Sequence, residues 1–203
     1  MHNRQKPFKL HPEFDVLVAG IQKEDPNAII ILHEEHEQHG KEIFEKRLKS
    51  AGCDMQRISF LPFQSHHKLL ALYMLSDIIL DSYPAGGCTT TREVLELGKI
   101  VVTLPAKYLG SRWSLAYYGM LGDQILNDLV IAENADDYIK KASTLGKNAS
   151  LRKETEDRIK KHRHKLFHSQ QAITEWTKIL LDISPIKTSA TIEGTCDEMR
   201  HEL

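Results

Sequence analysis

Residues 80–95 hold the densest set of groups suited to gripping an anion. An apolar run at 78–80 ends at Asp81, then Pro84, Gly86 and Gly87 turn the chain, and Cys88, Thr89, Thr90 and Thr91 open a helix whose apolar positions are Val94, Leu95 and Leu97. A helix start carries unpaired backbone N–H groups and about half a positive charge; glycine lets a ligand reach the backbone, and threonine hydroxyls add neutral donors. A diphosphate suits that chemistry. The same residues also suit a structural role, in which the glycines make a tight turn and Thr89 or Thr90 caps the helix. The spacing is neither a Walker A nor a Gly-x-Gly-x-x-Gly fingerprint, so ATP and NAD are not the natural ligands.

Four candidates for chemistry need weighing beside it. His33, His36 and His39 recur at every third position, a spacing that could recruit Zn or Ni. They lack the i, i+4 pair with an intervening Glu of a zinc protease helix, and no apolar shell surrounds them, so the segment reads as a solvated loop and helix start. The basic run 158–165 lies beside Glu154, Glu156 and Asp157 without interleaved aromatics, which reads as a solvated helical face and not a nucleic-acid surface. Arg112 follows Gly110 and Ser111 at a helix start, where a ligand contact and a structural ion pair are both open. Cys88 has no neighbouring histidine to activate it, which argues against a nucleophile.

The elements that must position these groups alternate. Continuous apolar runs at 27–32, 57–60, 78–80 and 100–104, with a weaker one at 129–131, read as buried parallel strands. Helical patterns at 13–24, 41–51, 66–75, 90–97 and 111–121 lie between them. Pro12, Gly52, Gly98 and Pro105 fall at the starts and stops this reading requires. The fold class is therefore α/β, a doubly wound Rossmann-like parallel sheet, followed from residue 135 by a helical C-terminal segment. Residues 1–7 offer no apolar run, so the domain, 1–183, reads as starting one strand late. Residues 184–203 are polar and read as a disordered tail.

The 203 residues, 41% hydrophobic and 27% charged, suffice for one globular core. The 27 Lys and Arg nearly cancel the 28 Asp and Glu, so no broad positive field exists to hold nucleic acid or a membrane surface. The apolar run 28–32 is far short of the ~20 residues of a bilayer span, and the first residues lack the apolar core of a signal peptide. Cys53, Cys88 and Cys196 are odd in number and far apart, as expected of free thiols in a reducing compartment, cytoplasmic or nuclear.

Four segments, in order, carry a family resemblance. The stretch 77–105 with the Ser111-Arg112 pair resembles the C-terminal catalytic half of the O-GlcNAc transferase (SPINDLY-like) glycosyltransferases, and residues 8–12 and 57–62 are similar to two further elements of that family. The resemblance implies the nucleotide-sugar-binding lobe of a GT-B enzyme. It implies an inverting, metal-independent transfer of GlcNAc or glucose from UDP to Ser/Thr or Asn of a protein or peptide acceptor, with no cofactor beyond the donor. Carried over by position, Lys9 becomes the catalytic residue, a point charge on the leaving diphosphate; Gly87, Cys88, Thr89 and Thr90 surround the phosphates; Glu93 accepts from the ribose. Gln64, beside Phe63, falls in the loop whose backbone reads uracil, and Arg112 lies close to the donor cleft. Cys88 stands where the family usually has histidine, Leu69 where some members stack a histidine on the base, and Lys6 where glutamine is frequent, which leaves sugar and base open. Leu69 also fits a core position of its helix. Beyond donor and acceptor, the partner that the resemblance implies is an N-terminal lobe or a tetratricopeptide-repeat region; whether repeats lie upstream is open. A non-catalytic nucleotide-sugar-binding or interaction module is the alternative, since a GT-B transition state needs both walls of the cleft.

Overall fold

β1 (Ile30–His33) lies parallel to β2 (Ile58–Leu61), with Ile30 opposite Ile58, and β3 (Ile79–Leu80) lies parallel to β4 (Val101–Val102), with Ile79 opposite Val101. The computed structural model describes residues 1–3, 9–34, 38–167 and 169–184. Lys6, Phe8, His36, Cys196 and the tail from 185 lie outside the described residues. β3 and β4 are buried at every position, which is why their sequence is continuously apolar instead of alternating.

The gap between β1 and β3 is filled by residues 1–3, contrary to the expectation that the N-terminus supplies no strand. His2 N–H donates to Ile78 O (3.1 Å), Leu80 N–H to His2 O (2.8 Å), Asn3 N–H to Ile31 O (2.9 Å) and Ile31 N–H to Met1 O (2.9 Å). A ladder needs backbone groups, not apolar side chains. Here both polar side chains are fully buried and partnered: Asn3 Nδ2 donates to Leu80 O (2.7 Å), and the His2 ring packs against those of His33 and Tyr73 at 5.4 and 5.7 Å. At the far side Thr103 bridges Ile131. The order across the sheet is thus β2, β1, residues 1–3, β3, β4, Ile131, the doubly wound arrangement.

The weak strand expected at 129–131 shrinks to that single bridge. Leu129 and Val130 instead end a helix, α6 (Gln124–Val130), because Asp123 accepts from Leu126 N–H (3.1 Å) and nucleates it. The other helices of the first unit are α1 (Pro12–Glu24), α2 (Gln38–Ser50), α3 (His66–Leu75), α4 (Thr89–Glu96), α5 (Trp113–Leu121), α7 (Ala135–Lys147) and α8 (Ala149–His162). Pro12 is the first residue of α1, where its missing N–H costs nothing. Leu69 is 2% exposed, a core position of α3 beside Tyr73, whereas Met74 and Leu75 of the same helix face outward. α1 packs on α2 and α7, and a bidentate pair of Arg47 on Asp15 (2.6 and 2.9 Å) ties α2 to α1.

The basic run 158–165 is more than a solvated face. Arg158 pairs with Asp123 (3.2 Å) and Glu154 (3.3 Å), Arg163 donates to Glu96 O at the end of α4, and Lys165 donates to Leu121 O at the end of α5 (2.6 Å). Two cations therefore satisfy the last carbonyls of two helices. Gly98, just past α4, sits at φ +74°, and a Cβ there would run into the Lys160 stem. Gly98→Ala is expected to cost about 1–2 kcal/mol, read as a lower urea midpoint at unchanged slope.

The chain divides into two compact units, Met1–His168 and Ser169–Leu203. In the second, Ser169 Oγ accepts from Ala172 N–H (3.2 Å) to start α9 (Gln170–Ile183), which exposes Ile173, Trp176, Ile179 and Leu180. No described helix is long and apolar enough to cross a membrane.

Candidate functional site

In a doubly wound sheet the crevice for a ligand forms beyond the carboxyl ends of the strands, where the strand order reverses. Here the reversal falls between residues 1–3 and β3. The chain leaving the first of these runs to Lys9 and α1; the chain leaving the second runs through Gly86 and Gly87 to α4. The segment that bears the predicted lysine and the predicted phosphate turn thus follow neighbouring strands in the sheet. Lys9 is exposed, just ahead of His11, whose side chain caps α1.

The start of α4 differs from the cap-only reading. Cys88 is its N-cap and makes no side-chain cap bond; Thr89 and Thr90 are already helical, so neither is the cap. α3 and α5, which follow β2 and β4, likewise have no side-chain cap, whereas α1, α6, α7 and α8 do. Around the crevice, therefore, three helix starts keep their first N–H groups free of a capping side chain. Thr89 is exposed and Thr90 half-buried. Thr91 turns inward, its hydroxyl donating to Gly87 O (3.2 Å) and lying 3.1 Å from Ser114 Oγ.

Beneath this turn lies Asp81, a residue to which the sequence assigned no role. Its Oδ1 accepts from Gly87 N–H (2.7 Å), its Oδ2 from Thr103 (2.8 Å) and Ser114 (2.6 Å), and its backbone carbonyl from the Tyr138 hydroxyl (2.8 Å). Burial raises its pKa, and the hydrogen bonds from Ser114, Gly87 and Thr103 oppose that rise. A carboxylate directly after an apolar strand was the available signal for it.

The remaining predicted residues take separate places around the opening. Glu93 on α4 faces His66, the first residue of α3, with Oε1 3.9 Å from Nδ1, so the starts of α3 and α4 stand side by side. His66 was not foreseen, because a histidine outside its cluster carries no sequence signal. Gln64 folds back onto its own loop, donating to Pro62 O (2.9 Å), beside a 75% exposed Phe63. Cys88 Sγ is 3.5 Å from the Tyr117 hydroxyl, and burial together with that contact pushes Tyr117 up to about 12. Arg112 donates to Ala106 O (3.2 Å) and lines a cavity of about 600 Å3 shared with His11, Tyr83, Pro84 and Tyr108. This cavity joins the start of α1 to the loops after β3 and β4. Gly86 N–H donates to Gly110 O (3.1 Å), which fastens those two loops together. Cys53 and Cys88 are free thiols, and among the described residues no group of three or more His, Cys, Asp or Glu could hold a metal ion.

The sequence model of a family described as Glycosyl transferase family 41 matches residues 2–175. Over 111 residues the chain is 30% identical to a protein of Eustoma exaltatum subsp. russellianum named as a probable UDP-N-acetylglucosamine--peptide N-acetylglucosaminyltransferase SPINDLY. Over 104 residues it is 32% identical to the like-named protein of Solanum lycopersicum. These alignments take in 54% and 51% of this chain but 12% and 11% of the relatives, which are far longer. Among solved structures, a mutant O-GlcNAc transferase of Thermobaculum terrenum superposes with a TM-score of 0.75 at 23% identity, over 88% of this chain and 34% of that one. Anabaena HepE, solved with UDP and glucose, gives 0.62 at 16% identity, over 88% and 48%. The α/β fold is that of GT-B glycosyltransferases.

Proposed function

Because the chain belongs to glycosyl transferase family 41, we propose that its first unit is the donor-binding lobe of an O-GlcNAc-transferase-like enzyme, which moves GlcNAc or glucose from UDP to a protein Ser/Thr or Asn. The observation that carries this reading is the uncapped start of α4, set at the reversal of strand order. In this reading the diphosphate lies against the first turn of α4, flanked by Gly87, Cys88, Thr89 and Thr90. Lys9 and Arg112 approach from the cavity side. Glu93 takes the ribose, and the loop of Gln64 takes uracil. The acceptor oxygen or nitrogen attacks the anomeric carbon with inversion as the bond to UDP breaks. The charge that develops on the departing phosphate is met by Lys9 and the helix N–H groups, with no metal required.

A second reading, a non-catalytic nucleotide-sugar-binding or interaction module, draws on coverage: the relatives hold far more chain than this lobe. One titration series addresses both. By isothermal titration calorimetry UDP is expected to bind the chain at least about tenfold more tightly than uridine, from charge-assisted contacts to the diphosphate, and EDTA is expected to leave this unchanged. Equal affinities for UDP and uridine overturn the donor site. UDP binding without UDP release from UDP-GlcNAc in the presence of peptide acceptor assigns the module reading to this chain.

A further inference from the structure

We propose that Asp81 is the positioning residue of the donor site, fixing the Gly86–Gly87 turn and with it the direction in which α4 presents its first N–H groups. This rests on the reading of α4 as the diphosphate site. The side chain is 4% exposed, and its partners come from three parts of the fold: the turn itself through Gly87, the end of β4 through Thr103, and α5 through Ser114. Gly87 is held at both ends of its residue, its N–H by Asp81 Oδ1 (2.7 Å) and its carbonyl by the Thr91 hydroxyl (3.2 Å). Thr91 in turn stands 3.1 Å from Ser114, which donates to Asp81, so three side chains, Asp81, Thr91 and Ser114, close a ring with Gly87, and Thr103 braces the carboxylate from outside it.

Two features mark this ring as a positioning device. Every hydrogen-bond donor to the carboxylate is neutral, and a buried carboxylate without a cation is a poor way to stabilise a core, where an apolar residue serves better. Its oxygens do, however, aim a backbone N–H at a defined place. The turn also closes down on the carboxylate, since a Cβ on Gly86 would stand 3.0 and 3.1 Å from its two oxygens. Any other residue there requires the carboxylate to give way by a few tenths of an ångström.

The test is UDP and uridine titration of the full chain and four variants, each checked for folding by circular dichroism. Asp81→Ala is expected to weaken UDP by about 30-fold and uridine little, because the phosphate cradle moves and the base loop does not. Asp81→Asn keeps an acceptor for Gly87 and turns donors toward hydroxyls that can rotate, so it recovers UDP affinity to within about threefold of wild type. Gly86→Ala is expected to weaken UDP by about tenfold in the wild-type background and to add nothing in the Asp81→Ala background, where the clash is gone. If Asp81→Ala fails to fold, the Gly86→Ala and Asp81→Asn arms decide. Wild-type UDP affinity in Gly86→Ala, or in a folded Asp81→Ala, overturns the proposal. So does an equal loss of UDP and uridine, the mark of general loosening. A wild-type chain that binds UDP no better than uridine overturns the donor reading itself, and the positioning role falls with it.

Discussion

Lys9→Ala is expected to weaken UDP binding by about 10- to 100-fold and to leave uridine binding where it was. A charge-assisted contact to a phosphate contributes about 1.5–3 kcal/mol, and uridine has no phosphate to lose. The side chain is exposed at the head of α1, so its removal leaves no cavity and no orphaned buried partner, and thermal unfolding should not change. Where UDP release to a peptide acceptor is measurable, the same substitution should lower it by about 10²–10³-fold, the loss seen when one donor to a developing oxyanion is removed. An alanine variant with wild-type UDP affinity and turnover would remove Lys9 from the site.

Arg47→Ala is the substitution with the largest expected effect on stability. Its guanidinium makes two bonds to Asp15, whose side chain is 1% exposed, and a third to the carbonyl of Leu10. Truncation strands a buried carboxylate, which costs about 3 kcal/mol or more and lowers the melting temperature of a unit of this size by about 10 °C. Arg47→Lys should restore part of this, because an ammonium keeps the charge but not the bidentate fork. The Leu10 contact carries a second consequence. Leu10 adjoins Lys9, so the alanine variant should also lose UDP affinity well below its melting temperature. A fall of less than about 2 °C in scanning calorimetry would show that water reaches Asp15 and replaces the pair.

The sequence displays most of the scaffold because its strands and helices obey two different periods, and because Pro12, Gly52, Gly98 and Pro105 stop and start them. Each expected helix from 13–24 to 111–121 has its counterpart in α1 to α5 within a few residues. One strand position was illegible. Residues 1–3 pair through backbone groups over three residues, too short for any hydropathy pattern, and His2 and Asn3 are polar although fully buried, whereas the run at 129–131 was legible and overlong, since Ile131 pairs and Leu129 and Val130 are helical. At the site, the Gly-Gly-Cys-Thr turn was legible as chemistry, but its support was not. Asp81 acts through contacts with Thr103, Ser114 and Tyr138, which lie 22, 33 and 57 residues away. The reading of Thr89 or Thr90 as a cap failed because Cys88 takes that place without making a cap bond, a distinction set by backbone geometry and not by residue type.

The cations that close α4 and α5 sit at the helix ends away from the crevice. Arg163 and Lys165 neutralise the negative poles of two helices whose positive poles, about 12 Å away along each axis, lie open at the other side of the sheet. Each helix is thereby left electrically lopsided, with one pole muted and the other bare. The two helices are therefore satisfied at one end by side chains from the same short basic stretch and left without a capping side chain at the other.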